Sequence, residues 1–282
     1  MRPLFTGIEE LSLGIVVADR HSHPAETHEH KEIDRALGLF VIKNDPDVFL
    51  DLDDRWDLPG LNEKRGSSIM GTAPPESNHD IFDELQVGNQ SLHETWSMIE
   101  RENERHRRAG HKERCIEISK FAGLGNHSDF LTRANKKHHS TKKIFSINSV
   151  KKEYEKWGFE VANFLQPIII AGISCRHYIP GDNMAALAPD RHFGRVGMSS
   201  ISAHKHRPSV RTMTRDDGAR QTNIVTPCFK HPDRLHNGED SGLTLIRNAR
   251  GGEFRYEFVG IEEVLQELRD ERMKHGRKTV FG

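Results

Sequence analysis

Asp19 and His21 stand two residues apart, just beyond an apolar run at 13–18. On an extended chain, residues at that spacing point the same way, so a carboxylate and an imidazole there could grip one cation. A polar turn after a strand would have the same composition. The pattern recurs, however. An apolar segment at 48–52 runs into Asp53, Asp54 and Asp57, and one at 114–124 runs into Gly125-Asn126-His127-Ser128. The most apolar stretch, 167–174, leads towards His177, and the segment at 198–202 leads into Ala203-His204-Lys205-His206. Carboxylate, amide oxygen and imidazole together suit hard-to-borderline divalent ions, and two such ions held close need one carboxylate between them. Ions so placed lower the pKa of water and neutralise charge on a phosphoryl group.

For that chemistry the residues must sit at strand ends. The run at 13–18 reads as a strand buried on both faces, inside an α/β sheet, where ligands bind beyond the carboxyl ends of the strands. Ile33, Leu37, Phe40 and Val41 recur at helical period within 31–43, a turn follows at 44–47, and 48–52 is a second strand. Residues 13–52 thus have the form of a βαβ unit. Further helices are expected at 91–108, 149–157 and 261–274, and further strands at 114–124, 159–164, 167–174 and 198–202. The segments 223–229, 243–247 and 253–259 read as antiparallel strands joined by Gly-containing turns. Residues 59–78 are rich in Gly, Ser, Pro and Asn and read as a loop. With no repeat and no dividing linker, a single domain over 1–282 is expected, carrying a loop–helix insertion at about 59–112.

At 282 residues the chain can bury a substantial core. Cys115, Cys175 and Cys228 are widely spaced and form no CxxC pair, which argues against a disulfide framework and against a thiolate metal site. No apolar stretch has the length of a signal peptide or a membrane span, so a soluble cytoplasmic protein with no membrane partner is expected. The net charge of −1 conceals an asymmetry: the first 100 residues hold 8 basic and 20 acidic residues, the remainder 33 and 22. An acidic half supplying carboxylates and a basic half attracting phosphate suits a metal-assisted phosphoryl site, although a solvated surface of mixed sign gives the same count. Of the 18 histidines, His23, His28 and His30 fall in a His-rich loop and are expected at the surface.

Taken in order, the motifs read D-x-H at 19–21, D-x-x-D at 54–57, G-N-H at 125–127, a single H at 177 and H-x-H at 204–206. This succession resembles the calcineurin-like metallophosphoesterases over roughly residues 13–210, and the stretch 88–108 is similar to phage-type members of that family. The resemblance implies a sandwich of two mixed β-sheets flanked by helices, and two divalent ions drawn from Mn, Fe and Zn. It puts Asp19, His21, Asp54 and His206 on one ion and Asp54, Asn126, His177 and His204 on the other, with Asp54 as the bridge. It also implies that His127 is the general acid for the leaving oxygen and that Asp57 holds its imidazole. A carboxylate at a helix start near Leu58-Pro59 is the other reading of Asp57.

Three positions depart from the family's pattern. Asp53 and Ala203 stand where glycines precede the bridging aspartate and H-x-H, and Ser128 stands where Glu or Asp follows G-N-H, with Asp129 next. No presumed ligand is missing, so restoring glycine at 53 or 203 is expected to leave activity within a few-fold. The expected function is hydrolysis of a phosphoester, with a phosphodiesterase or nuclease included. The alternative is a nucleic-acid-binding or regulatory protein that keeps the fold and has lost catalysis. Lys136, Lys137, Lys142, Lys143, Lys205, Arg207 and Arg211 would suit a polyanion. Few aromatic residues interleave with them to stack bases, which leaves a small phosphoester open as well.

Overall fold

A computed structural model describes residues 2–61, 81–137, 145–181 and 186–280, with side chains as far as residue 274. Most of the expected loop at 59–78, together with Lys142 and Lys143, lies outside the described residues.

One sheet is built on β2 (Glu10–Val17), whose burial alternates at first and is continuous from Gly14 onward. It pairs in parallel with β3 (Val48–Asp51), β3 with β4 (Ser119–Gly123), and β4 with β5 (Phe159–Ala162). On its other side β2 pairs antiparallel with β11 (Gly242–Arg250), which pairs with β12 (Glu253–Gly260). The second sheet runs β1-β6-β7-β8-β10-β9. Its strands are β1 (Leu4–Phe5), β6 (Ile168–Ile170), β7 (Ile173–Cys175), β8 (Ser200–Ser202), β9 (Ser209–Thr214) and β10 (Arg220–Val225). The fold is α/β, a sandwich of two mixed six-stranded sheets flanked by α1 (His28–Asn44), α2 (Ile81–Arg108), α3 (Asn126–Lys137), α4 (Ile147–Lys156), α5 (Pro189–Val196) and α6 (Ile261–Val280).

Two apolar cores follow from the two faces of the β2 sheet. Val16, Leu50, Phe121, Ile168, Ile201 and Ile224 fill the space between the sheets. Ile15, Phe49, Leu37, Trp96, Tyr154 and Val264 fill the space beneath the helices. The second half of β2 and all of β3 are buried on both faces, and the chemistry-bearing residues lie in the polar segments just beyond their ends. No helix among the described residues is long and apolar enough to cross a membrane.

Several elements differ from the sequence reading for identifiable reasons. The apolar stretch at 167–174 is an antiparallel hairpin, β6 and β7, because Ala171 and Gly172 both take positive φ. A Cβ on Gly172 would lie 2.5 Å from the Gly252 backbone nitrogen, so the turn is packed shut. The strand expected at 114–124 shortens to β4, since Asn103 on α2 takes both backbone groups of Ile116, at 2.7 and 3.0 Å. Of the strand expected at 223–229, only 223–225 are extended, as the end of β10 in the second sheet, so only β11 and β12 form the antiparallel pair expected there. α2 begins ten residues earlier than the expected 91–108. It packs closely on α1: a Cβ on Gly38 would lie 2.7 Å from Thr95 O. His30, expected at the surface, is half-buried in the first turn of α1, where it completes a capping box with Thr27.

Beneath the sheet edge runs a buried ionic network. Arg20 donates to Asp34 at 2.9 and 3.0 Å and to Glu26 at 2.6 and 3.1 Å. Arg55 donates to Asp51 at 2.6 and 3.0 Å and to Ser91 Oγ, which itself donates to Asp34 at 2.7 Å. Both guanidinium groups are almost wholly buried. Asp34→Ala is therefore expected to destabilise the fold by about 3–5 kcal/mol, because it takes an acceptor from the buried Arg20 and a neighbouring carboxylate, 3.6 Å away, from the buried Arg55. Urea unfolding of the two proteins measures this, and a loss below about 1 kcal/mol would show that the arginines find other partners.

Candidate metal centre

The ends of β2, β3, β7 and β8, and the start of α3 after β4, meet at one edge of the sandwich. Asp19, His21, Asp54, Asp57, His127 and His177 are buried there, with Asn126, His204 and His206 half-buried beside them. The segments are not extended, as the spacing argument supposed. Asp19, His21, Asp54, His204 and His206 all take positive φ, between 47° and 70°. Left-handed turns, held by the surrounding backbone bonds, bring the side chains together. Asp19 and His21 N–H donate to Asp53 and Asp54 carbonyls at 2.8 Å each, and Ala203 N–H donates to His177 O at 2.7 Å.

Asp19 and Asp54 are bound in the same way. Asp19 Oδ2 accepts the His204 N–H at 2.9 Å, and Asp54 Oδ1 accepts the His127 N–H at 2.9 Å. The second oxygen of each, Asp19 Oδ1 and Asp54 Oδ2, is buried and has no well-formed hydrogen bond. Imidazole nitrogens converge on both. His206, His21 and His177 Nε2 lie 3.2, 3.8 and 3.9 Å from Asp19 Oδ1. His177 Nε2 lies 3.0 Å from Asp54 Oδ2, with Asn126 Oδ1 at 3.0 Å and His204 Nδ1 at 3.3 Å from the same nitrogen. Asp19, His21 and His206 form one cluster of donor atoms, and Asp54, His177 and His204 form the second.

Three of these imidazoles face an acceptor on their outer side. His21 Nδ1 faces Asp57 Oδ1 at 3.0 Å, His206 Nδ1 faces Glu239 Oε1 at 2.6 Å, and His177 Nδ1 faces Leu52 O at 2.7 Å. In the neutral form each then turns a bare Nε2 inward, the tautomer a metal ligand needs. The Nε2 atoms of His21 and His206 are 3.2 Å apart. Two inward lone pairs beside a carboxylate oxygen that lacks a donor suit a cation, and each of the two donor clusters could hold one.

Electrostatics agree with the geometry. Burial would raise the Asp19 carboxyl, but His206 and its neighbours hold it well below the usual range. Asp54 is lowered likewise, against its burial, chiefly by His177. His177 is raised to about 10 by Asp54 and Asp19 despite its burial, whereas burial and the charge on His177 bring His204 down to about 4. Asp53 differs: burial, then the Asp54 charge, raises it to about 6, and it contributes to none of the donor clusters.

Asp57 does more than the sequence suggested. Its Oδ1 lies 3.0 Å from His21 Nδ1 and 3.3 Å from His127 Nδ1, so it orients a presumed ligand as well as the presumed acid. His127 packs edge-on against His21, ring centroids 4.6 Å apart, with its Nε2 3.9 Å from Asp54 Oδ2. Burial would lower its pKa, but Asp54 and Asp57 raise it. A cavity of about 170 Å³ opens beside these rings, walled further out by Lys230, Arg234 and Glu239. Those three lie in a loop without periodicity or motif and were not anticipated. Of the basic residues singled out for a polyanion, Lys136, Lys137, Lys205, Arg207 and Arg211 are exposed and none lines this cavity. Ala203 takes no positive φ, so its site does not require glycine.

Glu239 is held down to about 2 by its hydrogen bond to His206, against burial. Glu239→Gln is expected to weaken the ion at Asp19, His21 and His206 by about 10–100-fold while sparing the other site. Calorimetric titration with Mn²⁺ distinguishes the two sites, and equal weakening of both would contradict this division of ligands. No family model and no curated protein matches this chain.

Proposed function

We propose that the chain is a dinuclear metallohydrolase and, within that class, a phosphoesterase of the calcineurin-like kind. The carrying observation is the pair of buried carboxylate oxygens, Asp19 Oδ1 and Asp54 Oδ2, each ringed by imidazole nitrogens and lacking a well-formed hydrogen bond. When bound, two divalent ions supply Lewis acidity that activates water and neutralises charge on a phosphoryl group. Asp19, His21 and His206 would hold one ion, Asn126, His177 and His204 the other, and Asp54 would serve both.

His127 stands beside the ligands and at the cavity. Its Nδ1 is fixed by Asp57, which leaves Nε2 to protonate a departing oxygen. The motif order supports phosphoesters as the substrate class over other hydrolysable bonds. Three unpaired cysteines suit a reducing compartment, and we place the protein in the cytoplasm. Phosphate release from a panel of phosphomonoesters, phosphodiesters and DNA, with Mn²⁺ added, tests the reading. Two bound ions with no hydrolysis of any ester would favour the binding-protein alternative.

A further inference from the structure

Asp53 occupies a backbone seat that favours glycine, at φ +62°, and its side chain is wholly buried. A carboxyl there carries both left-handed strain and desolvation, so its contacts must offset the two. Oδ2 accepts the Gly125 N–H at 2.7 Å, and Oδ1 accepts the Tyr154 hydroxyl at 3.1 Å. Tyr154 is itself buried on α4, packed edge-on against Trp56 with ring centroids 5.3 Å apart. Gly125 directly precedes α3, where the first N–H groups have no acceptor within the helix. Asp54 Oδ1 takes the His127 N–H. Two consecutive carboxyls thus receive alternate amides from the start of one helix, the end that favours negative charge. The join is tight: a Cβ on Gly125 would lie 2.1 Å from Asp54 Oδ1.

We infer that Asp53 is a positioning residue which, together with Asp54, caps α3 from outside the helix and so fixes where Asn126 and His127 project. The inference rests on the roles proposed for those two residues. It also replaces the few-fold expectation for Asp53→Gly, while that for Ala203→Gly stands.

Asp53→Gly relieves the backbone and removes both contacts. Asp53→Asn keeps an acceptor for the Gly125 N–H and gains an amide that can donate to the Tyr154 hydroxyl. In Asp53→Gly, hydrogen exchange of the amides at 125–128 is expected to quicken about tenfold or more. Mn²⁺ affinity should fall about tenfold at one of the two sites only. Asp53→Asn should stay within about threefold of the parent on both measures. Unchanged exchange and unchanged Mn²⁺ binding in Asp53→Gly would overturn the inference, as would equal impairment of Asp53→Asn. If the parent takes up no Mn²⁺, the dinuclear reading fails, while the exchange comparison still decides the cap.

Discussion

Asp54→Asn is expected to remove both cations and to lower turnover by about 10³-fold or more, the equivalent of roughly 4 kcal/mol of lost transition-state stabilisation. Asparagine is the same size and can keep the Oδ1 contact to the His127 amide, so α3 should hold its place. The change falls on Oδ2. There an NH₂ group would face the imidazole nitrogen of His177, 3.0 Å away, and put donors where an acceptor is needed. Because Asp54 would serve both ions in the proposed centre, this single atom should matter more than a terminal ligand. His206→Ala, which touches only the Asp19 side, should cost one ion. Metal analysis after Mn²⁺ loading gives the counts directly. Two ions retained by Asp54→Asn would refute the bridge, and one retained would assign Asp54 to a single site.

Loss of His127 should leave both ions in place and still slow the reaction, by about 10²–10⁴-fold for esters with basic leaving groups. The imidazole is held at Nδ1 by the Asp57 backbone carbonyl, 2.5 Å away, and by edge-on packing against His21, and it faces the cavity. A proton delivered from Nε2 helps most when the departing oxygen is basic. His127→Ala should therefore lose far more rate on alkyl phosphates than on p-nitrophenyl phosphate, whose leaving group needs little help. An equal loss on both esters would instead give His127 a role in binding the phosphoryl group. Loss of metal alongside rate would make it a ligand.

Much of the centre was legible in the sequence because its residues come in short motifs at the ends of apolar runs. Asp19 and His21, or His204 and His206, advertise themselves by spacing, and β3 and the second half of β2 by unbroken burial. What spacing misjudged was the backbone: left-handed turns, not extended strands, make those pairs converge. Glu239 was illegible, since a carboxylate in an irregular loop carries no period and matters only through the imidazole it meets in space. The same holds for Asp53, which read only as a departure from the family's glycine and accepts from Gly125, just before α3, and from Tyr154 on α4. Elements were missed where tertiary partners overrule local pattern. β9 is an exposed edge strand with little apolar alternation, and α3 begins on residues that read as a turn.

The bond from His204 N–H to Asp19 Oδ2 joins residues 185 positions apart, and it also joins one sheet to the other. Asp19 and Asp54 extend from one layer of the sandwich, His177 and His204 from the opposite layer. Ions gripped by both sets would act as rivets through the two layers, a non-covalent counterpart of a cross-link closing a very long loop. A group that binds the folded chain alone adds to its stability in step with the logarithm of its concentration. The lifetime of the protein, and not merely its rate of turnover, would then follow the local supply of divalent cation.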